Sequence, residues 1–267
     1  MRVIFLSFLF CLNSYAAHNY YEKINFSSLD SASLKESLRN LIRDTHRPRS
    51  YGALFNEFSE SDIDIFYDND GTIVDIYSEN PKRPDFYCYK STKKKCGQYK
   101  KESDCYNREH LFPQSAFQQR HPMKSDFFHI YPTDGLVNNK RGSHPFGKVG
   151  KTLWTSQNGS KLGYSIDSKV NSLVFEPIDE FKGDIARALF YFALRYQAKH
   201  SGFNHRMLSS SKISFYKESI LKTLYSWHLQ DPVSDHEKNR NEKGFSFQKN
   251  RNPFIDFPKL VKKFWRP

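Results

Sequence analysis

One helical stripe constrains this chain more than any other feature. Across residues 184–200, Ile185, Ala188, Leu189, Phe192, Ala193 and Tyr196 recur at helical spacing. Such a row lies along one side of an α-helix and has to be buried against the rest of the protein. Asp184 is placed to cap the helix, and Lys199 and His200 stand near its end, where cations offset the helix dipole. Residues 28–48 repeat the pattern with Leu34, Leu38, Leu41 and Ile42, behind the candidate caps Ser28 and Asp30. Residues 214–229 form a further helix that buries Phe215, Ile220, Leu221, Leu224 and Trp227.

Other segments follow different rules. Residues 62–77 partly alternate apolar and polar on both sides of Asp68-Asn69-Asp70-Gly71, which predicts two strands joined by a tight turn. Residues 91–104 are basic and polar, either a solvated loop or a rim that attracts phosphate. The tail from Asp231 is rich in Pro, Asn and Arg, but Phe245, Phe247, Phe254, Ile255 and Phe257 require burial and predict order. Aromatic residues make up 16% of the chain, far from the composition of a disordered protein.

The N-terminus has its own logic. Arg2 precedes a mainly apolar run over residues 3–12, and Ser14-Tyr15-Ala16 offers small residues two apart. This is the pattern of a secretory signal peptide spanning residues 1–16, with the mature domain running over 17–267. The run is too short to span a bilayer. Phe10 argues against a lipid-modified Cys11, since a small residue belongs there. The expected location is the periplasm or the medium.

The chain carries a net charge of +12, and loss of Arg2 with the signal leaves 12 − 1 = +11. A charge of that size attracts polyanions, of which nucleic acid is the commonest, although it also serves solubility. Three cysteines remain after export, Cys88, Cys96 and Cys105. Oxidising surroundings favour one disulfide, either Cys88–Cys96 or Cys96–Cys105. With His110 their spacings are eight, nine and five positions, unlike the close cysteine pairs of structural zinc sites.

Two segments carry chemistry. The first is Tyr106-Asn107-Arg108-Glu109-His110-Leu111-Phe112-Pro113. A carboxylate suits a hard divalent cation, and a neutral imidazole suits proton abstraction from water. Neighbours on an extended strand point to opposite faces, so the pair can share a site only where the backbone bends or a metal and water intervene. The second segment runs over residues 126–147. There Pro132-Thr133-Asp134 reads as a turn and helix start, Asn138 lies one turn in, and Arg141 follows on nearly the same face before Gly142 ends the helix. An amide oxygen is a second hard ligand, and an arginine can clamp a phosphate.

These motifs resemble the endonuclease I family of exported bacterial nucleases. Asn107-Arg108-Glu109-His110 with Pro113 matches its active-site strand, and Asp126 through Arg141 with Pro145-Phe146-Gly147 matches its second motif. Phe175-Glu176-Pro177, Lys182-Gly183-Asp184-Ile185-Ala186-Arg187-Ala188, Trp227-His228, Asp231-Pro232-Val233, Arg240-Asn241 and Gln248-Lys249-Asn250-Arg251-Asn252-Pro253-Phe254-Ile255-Asp256 extend the likeness over roughly residues 35–260. The resemblance implies an α+β fold, a mixed α/β single domain containing a ββα-metal finger nuclease core. It implies Glu109 and Asn138 as ligands of Mg²⁺, for which Mn²⁺ or Ca²⁺ could substitute, and His110 as general base. Asn139 is the minor alternative to Asn138.

The activity so implied is non-specific hydrolysis of phosphodiester bonds in DNA, with RNA as a further substrate, leaving 5′-phosphate ends. Arg141 is expected to steady the scissile phosphate. Lys93, Lys94, Lys95, Lys100, Lys101, Arg187 and Arg195 are candidates for tracking the backbone, although Arg187 could equally form a buried ion pair with a carboxylate such as Glu176. A monomer without membrane contact is expected. The competing reading is an exported, basic nucleic-acid-binding protein without catalysis; it predicts damage to the Glu-His-Asn set, which is intact here. Among the other histidines, His129 and His144 stand nearest the site in sequence.

Overall fold

Helix and sheet divide the work in this computed structural model, which describes residues 17, 19–90, 95–170, 172–211 and 214–265. The signal peptide expected at residues 1–16 and the lysines at 93 and 94 lie outside the described residues. The helices are α1 (Ser31–Thr45), α2 (Leu54–Ser61), α3 (Gly135–Arg141), α4 (Lys182–Tyr196), α5 (Glu218–Gln230), α6 (Asp235–Gln248), α7 (Pro253–Asp256) and α8 (Lys259–Phe264). The strands are β1 (Tyr106–His110), β2 (Ile130–Asp134), β3 (Val149–Thr155), β4 (Lys161–Ser165) and β5 (Leu173–Glu176). β1 and β2 form one antiparallel pair, and β3, β4 and β5 form a separate antiparallel sheet in that order. This is the α+β architecture expected, with a β1–β2–α3 unit inside it.

The predicted central helix exists, but its surroundings differ from a simple amphipathic picture. In α4, 14 of 15 residues are buried, Arg187 among them. The helix starts two residues before Asp184, behind Phe181, which makes no side-chain cap. Asp184 sits in the first turn, 3.4 Å from Arg187, and is no cap. After Tyr196 the chain tightens into a 3₁₀ stretch, Gln197–Gly202, so the helix stops short of His200.

α1 begins where expected, with Asp30 accepting from the amides of Ala32 and Ser33, and buries Leu34, Leu38 and Ile42. α5 begins later than the apolar spacing indicates, at Glu218; Phe215 is buried ahead of it. The C-terminal segment is ordered. Phe254 and Ile255 are buried, and Phe245, Phe247 and Phe257 are half-buried.

The expected strand pair over residues 62–77 is absent; only the isolated bridge Ile63–Ile73 forms. The reason is local. The Asp64 carboxylate accepts from the amides of Phe66, Tyr67 and Asn69, and Asp75 accepts from Tyr77. Side chains that capture neighbouring amides compete with a sheet ladder. Pro132-Thr133-Asp134, read as a turn and helix start, closes strand β2, with Pro132 opposite Arg108.

Cys96 and Cys105 form the disulfide, and Cys88 is free and exposed. The bridge lies beneath the start of α3. A side chain at Gly135 would run into the Cys96 sulfur and the Tyr99 ring, so only glycine fits there.

Candidate active site

The site grows from the crossing of β1 and α3. β1 pairs Glu109 with Tyr131 and His110 with Ile130. β2 ends at Asp134, whose carboxylate accepts from the amides of Leu136 and Val137 and thereby starts α3. Asp134 also accepts from the Tyr89 hydroxyl and the Ser103 amide, and its own amide donates to Asp75. Gly142, at φ 54°, ends the helix with its amide on the Asn138 carbonyl.

One cavity of about 310 Å³ is lined by Glu109, His110, Asn138 and Arg141, with Arg108, Tyr51 and Gln114 on its walls. Asn139 is exposed and does not line it. Glu109 and His110 are neighbours in sequence, yet both border this cavity where the strand ends.

His110 is held by its ring. Nε2 lies 3.1 Å from the carbonyl oxygen of Lys124, which can only accept, so Nε2 carries the proton and Nδ1 keeps its lone pair. Tyr51, Phe117 and His129 surround the ring at centroid distances of 5.7, 6.2 and 5.6 Å. Burial, reinforced by the neighbouring His129, pushes the His110 pKa down to about 3. The imidazole is therefore neutral across the physiological range.

Glu109 is 2% exposed. Its Oε1 accepts from the Tyr77 hydroxyl at 3.1 Å and lies 3.0 Å from Nη1 of Arg141. Burial raises its pKa to about 7, against the pull of Arg141 and of the Tyr77 hydroxyl. Asn138 donates from Nδ2 to Thr133 Oγ1 at 3.3 Å, which leaves Oδ1 as the atom for a ligand. A buried carboxylate and an amide oxygen on one polar wall make an all-oxygen donor set, and that fits a hard cation such as Mg²⁺.

Arg141 is almost wholly buried. Nη1 donates to the carbonyl of His110 at 3.0 Å, and Nη2 to that of Leu111 at 2.6 Å. Its guanidinium lies 4.4 Å from the Phe146 ring centroid. Its terminal nitrogens are thus spent on the end of β1 and on Glu109, leaving little for a phosphate. Arg108 lies over the rings of Tyr51 and Phe55, at 3.6 and 4.3 Å, and is half-buried.

Arg187, weighed above as a backbone contact, is not on a surface. Its guanidinium pairs with Glu237, through Nε at 2.6 Å and Nη2 at 2.5 Å, and donates to the Asp231 carbonyl. Glu176 pairs with Lys182 instead. Arg195 is half-buried beside the Tyr196 ring, whereas Lys95, Lys100 and Lys101 are exposed. Neither His129 nor His144 lines the cavity; His129 is buried with Nε2 2.8 Å from the Met123 carbonyl. Tyr77, Asp75 and the Lys124 carbonyl take part in the site without any motif in the sequence to announce them.

Comparison with known proteins identifies the family. The family model described as Endonuclease I matches residues 30–259. The chain is 31% identical over 253 residues to an extracellular ribonuclease of Bacillus subtilis (strain 168), covering 92% of this chain and 78% of that protein. It is 30% identical, with the same coverage, to an extracellular ribonuclease of Bacillus amyloliquefaciens. A match of this extent makes the chain a member of the endonuclease I family of nucleases.

Proposed function

We propose that the protein is an exported, metal-dependent endonuclease that hydrolyses phosphodiester bonds with little sequence preference and leaves 5′-phosphate ends. The observation that carries this reading is the orientation of His110. With Nε2–H committed to the Lys124 carbonyl, Nδ1 is the nitrogen left with a lone pair, and its ring lines the same cavity as Glu109 and Asn138. Nδ1 takes a proton from a water as it attacks phosphorus. Glu109 and Asn138 would hold the cation. When bound, Mg²⁺ supplies positive charge against the phosphate and the departing 3′-oxygen. Arg141 serves as a positioning residue, fixing the carbonyl of His110 and the carboxylate of Glu109 together.

Both relatives are called ribonucleases, which supports RNA as a substrate beside DNA. Their extracellular description, the apolar segment near the N-terminus and the disulfide support export. The net charge of +12 supports contacts to phosphates over contacts to bases. The test is to incubate purified protein with plasmid DNA and with RNA, with MgCl₂ or with EDTA. Degradation with magnesium that stops in EDTA is expected. Undiminished cutting in EDTA would overturn the metal-dependent mechanism.

A further inference from the structure

A second set of acidic side chains lies away from the nuclease cavity, in the irregular segment that replaces the expected strand pair. Oxygens of Asp64, Asp68 and Asp70 all lie within 4.8 Å of one another. Asp68 and Asp70 are exposed, and Asp64 is 1% exposed. Two further carboxylates meet each other at a shared donor later in the chain. Glu79 and Asp85 both accept from one amide, that of Asn80, at 3.1 and 2.6 Å.

Glu79 is the independent observation. It is 1% exposed, and its Oε2 is buried without a hydrogen-bond partner. An orphaned, buried carboxylate oxygen is costly. The charges that act on it most strongly are those of Asp85, Asp64 and Asp68, all negative. Together with burial they push the Glu79 carboxyl up to about 9, and burial with the same aspartates raises Asp85 to about 6. Among the described residues, no lysine, arginine or histidine forms an ion pair with any of the five carboxylates, although the chain has 41 basic residues to 29 acidic ones. Concentrated negative charge of this kind calls for a cation.

We propose that Asp64, Asp68, Asp70, Glu79 and Asp85 form a binding site for a structural Ca²⁺ ion, distinct from the nuclease centre. Calcium is favoured over magnesium because it accepts many oxygen ligands from irregular backbone, while magnesium demands near-octahedral geometry and keeps its waters. The Glu79 oxygen then gains its missing partner. The site also braces the catalytic unit. The segment between Asp64 and Glu79 carries Asp75, which accepts from the Asp134 amide, and Tyr77, which donates to Glu109.

The test uses the full-length mature protein, freed of metal with EDTA and desalted. CaCl₂ at about 10 mM should raise the melting temperature by about 3–10 °C, given an affinity typical of extracellular calcium modules. The same concentration of MgCl₂ should raise it less. The double variant Asp68→Asn/Asp70→Asn should lose the calcium response and, with its repulsion relieved, melt higher than the parent in EDTA. Calorimetric titration of the Glu109→Gln chain with CaCl₂ should show one bound ion, which separates this site from the nuclease centre. Absence of calcium binding to that chain, or a double variant that keeps the parental calcium response, would overturn the proposal.

Discussion

His110 and His236 have the same side chain and opposite fates. His110 stands on the wall of an open cavity with a carbonyl behind it and no carboxylate partner, and burial keeps it neutral, with its pKa down to about 3. His236 is closed inside the core, 3.6 Å from Asp62 and 3.9 Å from Asp184. Burial opposes its charge, but the two carboxylates overcome that and raise its pKa to about 9. The first is held neutral with a free lone pair, and the second is held as a cation by Asp62 and Asp184. Depth is common to both. Partners decide which one carries the charge.

The contrast breaks most visibly at His110. His110→Ala should lower the nuclease rate by about 10²–10⁴-fold while the fold persists, the loss expected on removing the proposed general base. Circular dichroism beside a plasmid assay reads both quantities, and a fully active variant would end the assignment. Arg187→Ala attacks the other region. It leaves Glu237 buried without its ion-pair partner and Asp184 with His236 alone, and should cost about 3–5 kcal/mol of stability, read by chemical denaturation.

The pH dependence sharpens the comparison. His236 binds its proton more tightly folded than unfolded, so its contribution is fully present below about pH 6.5 and is lost as pH rises through about 9. Stability should therefore fall between those values by on the order of a few kcal/mol, and His236→Gln should flatten that slope. His110, with its pKa depressed, should add nothing to the same window. The smallest effect is expected at Tyr77→Phe, which removes one hydrogen bond from Glu109. Stability should drop by about 1 kcal/mol, with magnesium affinity weakened and the rate at saturating magnesium little changed.

Much of the catalytic unit could be read from the sequence because its signals are local. Asp134 before α3, Gly142 after it, and the spacing of Asn138 and Arg141 follow from helix caps and turns. Tyr77 escaped notice because it meets Glu109 across 32 positions, and the Lys124 carbonyl because a backbone oxygen has no sequence signature. Apolar spacing located α4 but said nothing about its other side, where Arg187 finds Glu237 50 residues later. The strand pair over residues 62–77 failed for a different reason. Alternation was present, but the aspartates that interrupt it bond to neighbouring amides in preference to a partner strand.

The sequence distance between β2 and two of the residues that secure it has a consequence. Arg240 donates to the carbonyl of Ile130 at 2.6 Å while pairing with Asp62, and Gln248 accepts from the Phe127 amide and donates to Asp126. These clamps lie 110 and 121 positions beyond the backbone they hold. The wall that carries Glu109 and His110 is therefore braced from behind by a helix formed far along the chain, and its shape depends on α6 being folded.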